Sequence, residues 1–123
     1  MLVQAPTDLS AKFALINDYW HPRIVAELNG QYVKLAKGLG SLPMHHHAAE
    51  DELFLVHRGS LRLEFADGTH VDVRAGQFYV VPRGIDHRPV ASAEVEIVLF
   101  EPTSTAHTGN VEVAETRHEL TRV

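Results

Sequence analysis

Imidazole and carboxylate side chains gather in one short stretch, MHHHAAEDELFLV at residues 44–56, in a chain that has no cysteine. A histidine run at a terminus would read as an expression tag, but this one is internal and leads straight into a strand-like segment. The chemistry open to these residue types is coordination of a divalent cation, and without thiolates any metal must be held by His and carboxylate. On a strand, His45 and His47 project to one face and His46 to the other, so the outer two can share an ion. Glu52 stands five residues after His47, the wrong parity for a flat strand. Its carboxylate joins the pair only if the chain bends or bulges through residues 48–51. A fourth candidate is His87 in GQFYVVPRGIDHRPV, placed by a Pro-Arg-Gly turn in which Pro82 fixes its φ and Gly84 permits a positive one.

Taken singly, each of these residues has a plainer reading: a solvated histidine run, a surface glutamate, a turn histidine with a satisfied hydrogen bond. His57 and His70 have no partner at ligand spacing, and with His21, His107 and His118 they read as surface or structural residues. Phe54 and Tyr79 occupy strand positions that read first as core. Arg83 or Arg88 could clamp the far end of an anionic ligand, although both read better as facing solvent.

The elements that must position such a cluster are short strands. In RIVAELNGQYVKLAKG the Asn29-Gly30 pair between two β-forming runs predicts a tight hairpin, with strands near 24–28 and 31–37. Beyond Glu52, Gly59, Asp67-Gly68, Ala75-Gly76 and Pro82-Arg83-Gly84 separate runs of four to eight residues rich in Val, Leu, Phe and Tyr. Leu61, Leu63 and Phe65 alternate with Arg62 and Glu64, the pattern of a strand with one buried face. A last strong strand, EVEIVLFEP, ends at Pro102. Eight to ten strands are predicted, with at most one or two helical turns from an N-cap at Thr7 to Ala14. The class is all-β, as a sandwich or a barrel. The tail at 103–123 is polar, with one strand-like piece at 111–113, and reads as loose or packed on a neighbour.

With 123 residues the chain suits one domain and one core. The formal charge of -5 argues against a nucleic-acid partner, which needs clustered Lys and Arg. Apolar runs such as 78–81 and 97–100 fall far short of the roughly 20 residues of a membrane span, and no basic-then-apolar leader opens the chain. The expectation is a cytoplasmic protein.

Taken together the candidates read His45-x-His47-x4-Glu52, then six residues to Gly59, followed by Gly76, five residues, Pro82-x-Gly84-x2-His87. This paired pattern, within residues 40–91, resembles the signature of the cupin superfamily. The whole chain is similar to the compact single-domain bacterial cupins loosely labelled as relatives of mannose-6-phosphate isomerase, EDELFLV and HTGN at 107–110 carrying the likeness. The resemblance implies a double-stranded β-helix, that is, a jelly-roll β-barrel, as a single domain over 1–123. His45, His47, Glu52 and His87 would then be metal ligands at the barrel mouth. Two positions depart from the pattern. The entry glycine is five or seven residues before His45 (Gly40, Gly38) where the family has six, and Ala91 stands where an asparagine is common, which removes a possible hydrogen bond near the site.

Three imidazoles and one carboxylate around a divalent ion leave a formal charge of about +1 and two open positions if the ion is six-coordinate. Fe, Mn, Ni, Co and Zn all suit that donor set. The favoured reading is a metal-dependent enzyme of isomerase or lyase type acting on a small organic anion or sugar derivative. An iron-dependent dioxygenase and a non-catalytic metal-bearing binding module are the alternatives. No general base is assigned. A homodimer is expected, paired through the sheet edge that the N-terminal hairpin would otherwise leave exposed.

Overall fold

The computed structural model describes residues 5–111 and 120–123. Its order is α1 (Leu9–Phe13), β1 (Arg23–Leu28), β2 (Gln31–Ser41), β3 (Glu52–Arg58), β4 (Ser60–Phe65), β5 (His70–Arg74), β6 (Phe78–Val81) and β7 (His87–Pro102). All strand pairings are antiparallel. They run β1-β2-β7-β3-β6, with β4 joined to both β5 and β7. The fold is the predicted all-β jelly-roll barrel.

Alternation along each strand builds the interior. Glu52, Phe54 and Val56 point inward from β3, Leu61 and Leu63 from β4, and the odd residues of β7 from His87 through Ala91, Val95, Ile97 and Leu99 to Glu101. Their neighbours face outward, as a period of two requires. Outside the barrel, α1 lays Phe13 against Leu35, Val25 and Val98, so β2 and β7 are covered on both faces.

Among the described residues there are seven strands, against the eight to ten predicted, for two reasons. Residues 42–51, including His45 and His47, make a single bridge, His45 to His87, and no ladder. Residues 87–102 form one strand where two runs were expected. Between Gly38 and Gly40 of β2 lie two steps, against four from Ala91 to Val95 of β7, so β7 bulges and turns a corner there. Straight, its fifteen steps would span about 50 Å. Coiled around the barrel, it brings His87 and Glu101 to the same interior glutamate, Glu52.

The hairpin at Asn29-Gly30 forms as predicted, both residues having positive φ (49° and 75°). The helix start is corrected by one residue: Asp8, not Thr7, is the N-cap, its carboxylate accepting from the Ala11 amide. The described end of the tail, residues 121–123, does not leave β1 bare. Ile24 donates to the Thr121 carbonyl at 2.9 Å and accepts from the Val123 amide at 2.9 Å, so the edge expected to seek a partner chain is met by this chain's own end. Val111 lies in no strand; residues 112 and 113 and His118 lie outside the described residues. Among the described residues no helix is long and apolar enough to cross a membrane.

Candidate metal centre

The two ligand-bearing segments are zipped together by their own backbones. His45 donates to the His87 carbonyl at 2.9 Å and His87 to the His45 carbonyl at 2.8 Å, while the Gly84 amide donates to the His47 carbonyl at 2.8 Å. Gly84, at φ 78°, holds the turn in the conformation that permits this. The expected bend after His47 occurs at Ala48-Ala49, and Glu52 opens β3 opposite Val81.

His45, His47, Glu52 and His87 are buried, at 2, 5, 2 and 0% exposure, whereas His46 turns outward and meets Asp86 at 2.9 Å. Thus the predicted parity holds without the predicted strand. One potential ligand atom from each of His45, His47 and His87 lies within 4.8 Å of the others. Glu52 Oε1 is 3.2 Å from His47 Nε2 and 3.4 Å from His87 Nε2. None of these last three atoms has a hydrogen-bond partner among the described residues. Buried polar atoms left so are costly, and a shared cation would satisfy all three at once.

Tautomers are set from behind. His45 Nδ1 meets the Pro43 carbonyl at 2.8 Å and His87 Nδ1 the Ile85 carbonyl at 2.9 Å, which makes each Nδ1 the donor and frees Nε2 as a lone pair. Phe54 packs edge-on against the His87 ring. Burial pushes His45 down to about 4, against the opposing pull of the Pro43 carbonyl, so its ring stays neutral in mild acid.

Two charged residues behind the site were not singled out from the sequence. Lys34 Nζ donates to Glu101 Oε1 at 2.8 Å, and both side chains are buried, at 1% and 0% exposure. Glu101 in turn meets Glu52. Burial would raise Glu52, but the Glu101 carboxyl and the His47 and His87 imidazoles outweigh it and hold Glu52 well below the usual carboxylate range. Burial and the Glu52 charge push Glu101 well above that range. Glu52 therefore presents an ionised carboxylate to the three imidazoles while its neighbour keeps the proton.

Beside His45 and Glu52 lies a chamber of about 30 Å³, walled by Trp20, Leu42, Phe54 and Leu99. Among the described residues no Lys or Arg lines it. Arg83 pairs with Asp51 and Arg88 with Glu64, all outside, so neither is free to clamp a ligand there. His107, read from the sequence as surface or structural, is 7% exposed and lines the chamber.

Known proteins share this fold. The family pattern described as the cupin domain matches residues 31–103. A cupin-2 domain protein of Shewanella frigidimarina superposes with a TM-score of 0.76 at 40% identity, covering 78% of this chain and 93% of that one. The chain belongs to the cupin family. An uncharacterized protein of Bacillus subtilis, YdbB, is 36% identical over 64 residues, which are 52% of this cupin and 57% of that relative. Hydroquinone 1,2-dioxygenase of Sphingomonas, in a structure with 4-hydroxybenzoate bound, shares the fold with a TM-score of 0.70. Its identity is 17%, over 81% of this cupin and 32% of that enzyme.

Proposed function

We propose that this cupin is a metal-dependent enzyme holding one divalent transition metal ion through His45, His47, Glu52 and His87, and acting on a small organic anion by isomerase- or lyase-type chemistry. The observation that carries the reading is the convergence of buried His47 Nε2, His87 Nε2 and Glu52 Oε1, unpartnered among the described residues, beside a small chamber. A cation bound there supplies Lewis acidity, polarising a substrate oxygen. The chain's own part is to present lone pairs in fixed tautomers, to keep one negative charge on Glu52, and to exclude bulk water with Trp20 and Phe54. Since no Lys or Arg among the described residues lines the chamber, an anionic group finds its positive charge at the metal, and an apolar body suits the walls better than a polyhydroxylated sugar. The likeness to mannose-6-phosphate isomerase relatives therefore supports the fold more than sugar-phosphate chemistry.

The apolar walls and the fold shared with the Sphingomonas dioxygenase favour a second reading, oxygen chemistry with iron. The test is turnover of small hydroxy-acids, keto-acids and phenols by protein reconstituted separately with Fe(II), Mn(II), Ni(II) and Zn(II), with and without oxygen. Anaerobic turnover supports the first reading, and turnover needing both iron and oxygen the second. Ligand-induced thermal shifts without turnover would make the protein a binding module.

A further inference from the structure

Residues 103–110 lie beyond the last strand and, all but Thr103, past the end of the cupin-domain match, yet they are packed against the metal centre. The stretch is clipped at both ends. At its start Lys34 Nζ donates to the Thr105 carbonyl at 3.4 Å. At its finish the Asn110 amide donates to the His46 carbonyl at 3.1 Å, and Asn110 Oδ1 accepts from the His46 amide at 2.9 Å. Between them Gly109, at φ 58°, approaches so closely that a Cβ there would lie 2.3 Å from the His46 carbonyl oxygen and 2.7 Å from the His45 ring. Any side chain would lift the strap off. What the strap delivers is His107, the third polar residue of the chamber after His45 and Glu52.

We propose that His107, carried by the strap of residues 103–110, is a ligand-contacting residue of this chamber: its imidazole hydrogen-bonds the group that binds at the metal, and the strap limits that group's size. The inference rests on the metal reading above. A chamber of about 30 Å³ takes one or two water-sized groups. A body much larger than that enters only when the strap or Trp20 moves. Neutral or charged, imidazole offers an N–H, so His107 suits an oxygen or nitrogen acceptor on a small anion. Since no Lys or Arg among the described residues lines the chamber, His107 adds the directional contact that the cation alone does not supply.

The test uses the full chain loaded with Co(II), with azide as the probe, followed by visible absorption, in the wild type, His107→Ala, His107→Gln and Gly109→Ala. The wild type and the two His107 variants should bind Co(II) alike, and Gly109→Ala, whose new Cβ presses on the His45 ring, is compared at Co(II) saturation. Azide should bind about tenfold more weakly to His107→Ala, the size of one lost hydrogen bond, and recover most of that in His107→Gln, which keeps an N–H donor. Gly109→Ala, with every polar side chain intact, should show the same loss, together with faster amide exchange at His46 as the clip opens. Unchanged azide affinity in His107→Ala with Co(II) in place overturns the inference and leaves the metal reading standing. Loss of Co(II) from His107→Ala also overturns it, by making His107 a ligand or a support. A wild type that binds no Co(II) overturns the metal reading itself, and the inference with it.

Discussion

His46 is the internal control of the candidate site, since it shares the sequence neighbourhood of His45 and His47 but points at Asp86. We expect His87→Ala and Glu52→Ala to retain almost no metal by elemental analysis, and His46→Ala to retain about one ion per chain; the reverse pattern would mean that the register is misassigned. His45 supplies a second prediction. Folded, its pKa is about 4; unfolded, it returns to about 6.5. The unfolded chain therefore takes up this proton first as pH falls, so the stability His45 contributes is fully present above about 6.5 and lost by about 4. The loss is roughly 3 kcal/mol in metal-free protein. Urea titrations at pH 7 and pH 4.5 should show most of it, and equal midpoints would contradict the burial of a neutral ring. The four clustered residues were legible because turns and parity leave marks in spacing. Glu101 was legible in principle, sharing the inward parity of Val95, Ile97 and Leu99, as Lys34 shares that of Ala36. His107 left no such mark, because periodicity ends at Pro102.

At the scale of elements, the walls of the chamber depend on a close fit between β2 and the segment before β1. Trp20 is held at φ 60°, unusual for a bulky side chain, by its amide on the Lys37 carbonyl (2.8 Å) and its Nε1 on the Leu39 carbonyl (2.9 Å). Its ring covers Gly38 so closely that a Cβ there would fall 2.5 Å from it. Gly38→Ala should thus cost about 1–3 kcal/mol through forced displacement of the ring. The urea midpoint measures the cost, and fluorescence of this sole tryptophan should shift with it. An unchanged spectrum and midpoint would show that the ring yields freely. Hairpin, strand alternation and turns were legible, since Asn29-Gly30, Gly59 and Gly84 act locally. The corner in β7 was not, because it arises from pairing with β2 and β4 at once, and no local run of residues encodes two partners.

For the whole molecule, the question of partners begins with the edges. Residues 121–123 meet β1, while β6 ends the other side of the sheet path with Phe78 61% exposed. We retain the homodimer as a proposal, now expected at β6: light scattering should give twice the chain mass at micromolar concentration, and a Phe78→Lys protein should give the monomer. Metal removal tests the molecule in another way. The barrel interior, from Leu42 and Phe54 through Leu61, Leu63, Val81, Val95 and Ile97, is a continuous apolar cluster that does not depend on the four ligand positions. Chelation should therefore leave a folded chain. What it removes is the stabilisation from an ion that binds only the native state, about 2.7 kcal/mol when free metal exceeds its dissociation constant a hundredfold. For a chain of this length that is roughly 10 °C in melting temperature. Calorimetry with and without chelator at pH 7.5 should show a shift of that order between two cooperative transitions. Complete unfolding by chelator at 25 °C would instead make the metal a structural element, and the chamber beside it would lose its standing as the place where a substrate reaches the ion.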